Sequence, residues 1–176
     1  MKDINVINNF VNEEELQEII DAIHNSSWKY NQCSDLGSVG DIPKPGVKFW
    51  KAELIQEEET IGKKLLTKIE KVFDKKYKIQ RLYANGQTFG QDGTFHQDDP
   101  ADNVYTLLIY ISPITIENIE YIGGCTEFKR GVNIINVEPY KKRGIFFKSN
   151  LYHRGMAPCR LSDLLRVTVA MKVVEV

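Results

Sequence analysis

The sequence predicts a mainly β fold with helices at its N-terminus, an α+β arrangement of sandwich or jelly-roll type. Three observations predict it. Two stretches before residue 77 carry apolar residues at helical spacing. After residue 77 the chain changes to short runs of β-type residues. Those runs are separated by turn-forming pairs: Asn85-Gly86, Asp92-Gly93, Gly123-Gly124 and Glu138-Pro139.

The first helix opens after Asn12, a residue type whose side chain caps free backbone N–H groups. Glu13, Glu14 and Glu15 suit the positive end of the helix dipole, and Leu16, Ile19, Ile20 and Ile23 form its apolar stripe. Residues 25–47 are rich in Ser, Gly, Asn, Asp and Pro and read as one long loop, a feature that in compact domains often carries function. A second helix is predicted over 57–73, where Ile61, Leu65, Ile69 and Phe73 recur at helical spacing and Leu66 and Val72 widen the stripe. Strands are predicted at 78–84, 94–98, 105–111, 126–129, 133–137, 144–148, 151–154 and 165–174. No repeat or linker divides the chain. Residues 1–176 are expected to form a single domain, with helices and a loop in 1–77 and the β core in 78–176.

Composition bounds the function classes. With 176 residues, 42% of them apolar and 27% charged, the chain can bury a substantial core. A net charge of −1 leaves no electrostatic footprint for non-specific nucleic-acid binding. Cys33, Cys125 and Cys159 are odd in number, widely spaced and without a CxxC pair, which argues against a zinc knuckle or a disulfide framework. That pattern fits a reducing compartment. No apolar run approaches the roughly 20 residues of a membrane span, and Met1-Lys2-Asp3-Ile4-Asn5 lacks the order of a signal peptide. A cytoplasmic protein with no membrane association is expected.

The chemistry concentrates in the second half. His96 and Asp98 are two residues apart, which on a strand places both side chains on one face and turns Asp99 away. His153 follows on a later predicted strand, and a jelly roll brings distant strands face to face. Two imidazoles and a carboxylate with open positions form the facial ligand set of non-haem Fe(II) oxygenases. Zinc accepts the same donors, so a zinc-dependent hydrolase or isomerase is an alternative. A third reading is a non-catalytic jelly-roll binding module. Strand alternation puts Arg166, Thr168 and Ala170 on one face, and an arginine inside an apolar core needs a partner. That partner is either an internal acid or the carboxylate of a bound co-substrate. Tyr110 shares its face with Thr106 and Leu108 and could donate to the same carboxylate; Tyr83 is a second candidate. His24 falls in the first helix and is assigned a structural role.

At these residues a family resemblance emerges. Tyr83-Ala84-Asn85-Gly86 and Gly93-Thr94-Phe95-His96-Gln97-Asp98 resemble the metal-site segment of Fe(II)/2-oxoglutarate-dependent dioxygenases of the prolyl 4-hydroxylase-like group. Thr106–Ser112, Gly123-Gly124-Cys125-Thr126-Glu127-Phe128, Gly144-Ile145-Phe146-Phe147, His153-Arg154-Gly155 and Arg166-Val167-Thr168 continue the pattern in order, over about residues 78–174. The resemblance implies a double-stranded β-helix. It implies Fe(II) on His96, Asp98 and His153, and 2-oxoglutarate held through its distal carboxylate by Arg166. It places Tyr110 on that carboxylate and Tyr83 on the co-substrate pocket, with Thr168 beside Arg166. The implied reaction consumes O2, releases succinate and CO2, and hydroxylates an unactivated C–H bond, with ascorbate as a reductant. One departure stands out. Prolyl 4-hydroxylases commonly use Lys as the cation at a shorter interval after the distal His, but Asp163 occupies that place here and Arg166 lies thirteen residues on. The departure bears on the substrate more than on the chemistry. A substrate protein or peptide carrying a prolyl residue is the first expectation, with a nucleobase or a small molecule such as a free amino acid as alternatives. Trp28, Tyr30, Phe49 and Trp50 are candidates to stack on it, and the loop and residues 97–103 to cover it.

Overall fold

Three layers follow from where the apolar faces point. In the computed structural model, which describes residues 3–33, 38–39, 42–43, 46–54 and 61–176, two helices cover one face of a large sheet. A smaller sheet covers part of the other. The helices are α1 (Glu13–His24) and α2 (Ile61–Phe73). Asn12 caps α1 through a reciprocal capping box: its side chain accepts from the Glu15 amide, and its own amide donates to the Glu15 carboxylate. Residues 57–60, predicted to begin the second helix, lie outside the described residues.

The large sheet is built from β1 (Ile4–Ile7), β2 (Trp28–Gln32), β5 (Phe49–Glu53), β6 (Tyr77–Gln87), β7 (Val104–Tyr110), β10 (Gly144–Lys148) and β12 (Arg166–Glu175). Its order is β1-β10-β7-β12-β6-β5-β2, every pair antiparallel. The small sheet has β8 (Thr126–Arg130) flanked by β9 (Asn133–Val137) and β11 (His153–Gly155). Two two-residue strands, β3 (Ser38–Val39) and β4 (Ile42–Pro43), pair with each other, and Ile119–Ile122 form the short helix α3. No described helix is long and apolar enough to cross a membrane.

Strand alternation divides the core in two. Leu82, Ala84, Leu107, Ile109, Val169, Met171 and Phe146 point from the large sheet toward Leu16, Ile19, Leu65 and Ile69 of the helices. The opposite face packs Tyr110, Ile145 and Phe147 against Phe128 and Val137 of the small sheet. This is a jelly roll with the helices on its outer face.

Several expectations change. Residues 25–47 are not one loop, because Trp28–Gln32 forms a strand on β5, and the predicted helix-and-loop segment 1–77 also supplies β1 and β5 to the large sheet. β5 places Lys51 at a buried position that periodicity expects to be apolar. The predicted strand 94–98 is absent. His96 instead makes a single bridge to His153, with reciprocal backbone hydrogen bonds of 3.0 Å. Periodicity read extended backbone correctly there but could not show that the chain leaves the ladder after one residue pair.

Candidate active site

The uncovered part of the inner face, beside the small sheet, forms a cavity of about 260 Å³. Pairing register explains its lining. Gln87 lies opposite Arg166; Lys51, Asn85, Thr168 and Tyr110 form the next row; Arg81, Lys172, Thr106 and Phe147 form the last. One end of the cavity therefore carries Arg166, and the other carries the neighbours of the His-Asp-His cluster.

His96, Asp98 and His153 present ligand atoms that all lie within 4.8 Å of one another. Three local contacts build this cluster. The bridge between His96 and His153 sets the imidazoles side by side, 4.5 Å between ring centres. The Asp98 and Asp99 amides both donate to the Ser149 carbonyl, which anchors the turn after His96. Ring packing by Phe147 and Phe128 holds the His153 imidazole.

Each imidazole directs Nε2 inward, because Nδ1 donates to a carbonyl two residues earlier: Thr94 for His96 and Leu151 for His153, both at 2.9 Å. His153 Nε2 lies 3.6 Å from Asp98 Oδ2, and His96 Nε2 3.9 Å from Oδ1. Burial lowers the His153 pKa to about 4, so its inward lone pair is free at neutral pH. Burial disfavours a charged Asp98, but His153, Lys172 and the hydrogen bonds from Lys172 and Thr106 outweigh it and keep the carboxyl below its ordinary pKa. Thr106 Oγ1 donates to Asp98 Oδ2 at 2.8 Å; its only proton is thus committed, and Ser149 Oγ donates to Thr106 in turn. Two imidazoles and an oriented carboxylate fit a divalent metal, with the Nδ1 bonds and Thr106 as the outer support such ligands need.

Arg166 is fully buried, and no acid among the described residues pairs with it. Burial lowers its pKa, yet a guanidinium stays charged. Nε donates to the Gly124 carbonyl at 2.5 Å, Nη1 to Gln87 Oε1 at 2.8 Å and Nη2 to Thr126 Oγ1 at 3.2 Å. These neutral partners orient the charge without cancelling it. Gly124 is needed for the approach: its φ is +85°, and a Cβ there would stand 2.9 Å from Arg166 Cδ. Of the two partners foreseen for Arg166, an internal acid is not the one this fold provides among those residues.

Thr168 lines the cavity beside Arg166. Tyr110 sits behind the guanidinium, which lies 5.5 Å from its ring centre, and its hydroxyl donates to Thr126 Oγ1 at 2.6 Å. Tyr83 lines the cavity under the cations of Lys51 and Arg81, and burial raises its pKa. Asn85 Oδ1 is buried in the same lining without a hydrogen-bond partner among the described residues. Of the four aromatics, Phe49 faces the cavity, Trp28 packs on the helix-side core, and Tyr30 and Trp50 contact each other at 5.0 Å. Cys33 and Gln97 also reach the cavity; residues 34–37 of the predicted loop lie outside the described residues.

Lys172, Lys51, Arg81 and Gln87 were not foreseen. Lys172 lies six residues after Arg166, and strand alternation alone would have placed it on the same face. Nothing in the sequence marked Lys51, because β5 itself was not legible.

No protein-family model matches the sequence, and no curated protein matches it. Solved structures do match the fold. A prolyl hydroxylase from Trichoplax adhaerens, in complex with a peptide fragment of the hypoxia inducible factor oxygen degradation domain, superposes with a TM-score of 0.72 at 16% identity, over 99% of this chain and 84% of that one. A 2OG-Fe(II) oxygenase family oxidoreductase from Burkholderia pseudomallei gives 0.71 at 12% identity, over 98% and 85%. HygX from Streptomyces hygroscopicus, with nickel, 2-oxoglutarate and hygromycin B bound, gives 0.67 at 10% identity, over 98% and 82%. This chain shares the jelly-roll fold of these oxygenases.

Proposed function

We propose that the protein is an Fe(II)- and 2-oxoglutarate-dependent dioxygenase that hydroxylates an unactivated C–H bond and releases succinate and CO2. One observation carries the reading: a metal-competent His-Asp-His cluster shares a cavity with a fully buried guanidinium that no described acid neutralises. A zinc hydrolase or a passive binding module has no use for that second, uncompensated charge. The fold shared with oxygenases, one of which binds nickel and 2-oxoglutarate, supports the same reading.

His96, Asp98 and His153 would hold Fe(II), and Arg166 would take the distal carboxylate of 2-oxoglutarate, with Thr168 beside it. When bound, the iron supplies O2 activation coupled to decarboxylation of 2-oxoglutarate. The chain's own task is positioning. Gln87, Gly124 and Thr126 aim Arg166, and Tyr110 acts on it through Thr126 as a positioning residue. Tyr83 and Phe49 wall the cavity against water. The peptide bound to the Trichoplax neighbour supports a peptidyl proline as a substrate to test, and ascorbate is the reductant to include.

The test is succinate release. It should require Fe(II) and 2-oxoglutarate together, proceed slowly without added substrate, and disappear in His153→Ala along with metal binding. Purified protein that takes up Fe(II) but neither binds nor consumes 2-oxoglutarate would overturn the assignment.

A further inference from the structure

Charge in the cavity is unevenly distributed. Asp98 is the only acid among the described lining residues, whereas Lys51, Arg81, Arg166 and Lys172 all line it. Lys51 and Arg81 share one carboxylate, that of Glu53; Arg81 Nη2 reaches it at 2.6 Å, and both cations lie over the Tyr83 ring, at 4.7 and 5.0 Å. Among the described residues Lys172 has Asp98 as its only acidic partner, at 3.0 Å, and it also donates to the Asp98 carbonyl at 2.9 Å.

Loading the site changes this balance. A divalent metal and Arg166 bring three positive charges. Asp98 and the two carboxylates of 2-oxoglutarate bring three negative ones, so that group is neutral. Among the described residues, Lys51, Arg81 and Lys172 then remain against Glu53 alone, which leaves two positive charges uncompensated there. Arg81 is half exposed, at 47%, but the Lys51 and Lys172 side chains are only 10% and 17% exposed. Retaining partly buried cations without matching acids is unfavourable unless a ligand supplies the anion. Lys172 and Arg81 also occupy the row of Thr106, at the metal end of the cavity and away from Arg166.

Resting on the dioxygenase reading, we infer that the substrate carries an anionic group, a carboxylate or a phosphate, close to the carbon that reacts. Lys172 and Arg81 receive that group at the metal end of the cavity, with Lys51 beside them across the Tyr83 ring. A neutral prolyl peptide leaves these cations unmatched. A small organic acid or phosphate ester satisfies them.

The experiment uses the full chain loaded with Mn(II) and saturating 2-oxoglutarate, each verified by its own binding measurement. Inorganic phosphate and acetate are titrated as probes, with acetamide as the neutral control, and paramagnetic broadening of the probe resonances is followed by NMR. Saturable broadening of phosphate or acetate but not of acetamide is expected. Stronger binding of phosphate points to a phosphate ester, stronger binding of acetate to a carboxylate. Lys172→Met and Lys51→Met, tested separately, should each weaken the probe by about tenfold or more, and Lys172→Arg should restore it. Absent saturation, or equal affinity in wild type and both methionine variants, overturns the inference while leaving the enzyme reading intact. Failure of 2-oxoglutarate to bind the Mn(II) protein overturns the enzyme reading itself.

Discussion

Arg166→Met tests the co-substrate assignment most directly. The substitution keeps an unbranched side chain of similar length and removes the charge. In the protein without ligands it leaves the Gly124 carbonyl and Gln87 Oε1 without their donor, at about 1–3 kcal/mol for each acceptor that finds no replacement, while Thr126 Oγ1 keeps the Tyr110 hydroxyl. Relief of the buried charge offsets much of this, since a guanidinium without an acid partner is itself costly to bury. The variant should therefore fold, with a modest change in stability. Binding is different, because the distal carboxylate of 2-oxoglutarate would enter the buried end of the cavity without its guanidinium partner. Truncating one partner of a buried charge pair costs about 2–5 kcal/mol. At about 1.4 kcal/mol per tenfold, 2-oxoglutarate should bind roughly 30- to 4,000-fold more weakly. Calorimetric titration into Mn(II)-loaded protein measures this, with metal affinity and thermal unfolding as controls. Arg166→Lys keeps the charge but loses the planar fork and should fall between wild type and Arg166→Met. A folded Arg166→Met that binds 2-oxoglutarate within about threefold of wild type refutes the reasoning, as does weakened metal binding with unchanged 2-oxoglutarate affinity.

Further outcomes follow from the same contacts. Metal-free protein should lose stability as pH falls from 6.5 toward 4: the unfolded chain takes up a proton at position 153 in that window while the folded His153, with its pKa near 4, does not. The shift of about 2.5 units corresponds to at most about 3 kcal/mol, and urea unfolding across this range should show that slope in wild type and a reduced one in His153→Gln. Gly124→Ala should weaken 2-oxoglutarate binding, because a Cβ there strains a positive-φ residue and displaces Arg166; unchanged affinity in a folded variant would contradict the packing described. Gly144→Ala places a Cβ 2.8 Å from the Phe10 side chain and should destabilise the protein by about 1–3 kcal/mol without altering 2-oxoglutarate affinity, as denaturant midpoints and calorimetry would report.

The stripe of α1 and its cap at Asn12 were legible because a single buried face imprints its period on the residues; β7 and β12, central strands buried on both faces, were legible instead as runs of β-type residues between turns. β1, β2 and β5 were not legible. They lie at or near the sheet edges, and β2 and β5 mix charged and aromatic residues, so position in the sheet rather than local pattern makes them strands. The absence of a strand at 94–98 has a related cause: backbone pairing there depends on where Ser149 and His153 lie, which is a long-range fact.

By itself the sequence determined the donors of the candidate site. His96, Asp98, His153 and Arg166 could be selected because residue type limits chemistry and strand spacing limits which side chains share a face. Tertiary structure alone decided how those donors are held and what surrounds them. It brought Gln87, Gly124 and Thr126 around Arg166, moved Tyr110 behind the guanidinium, and set Arg81 and Lys172 at the opposite end with Lys51 between. The physical reason is that net charge and hydrogen bonding in a cavity sum over strands far apart in the chain, and only the pairing register sets which residues enter that sum.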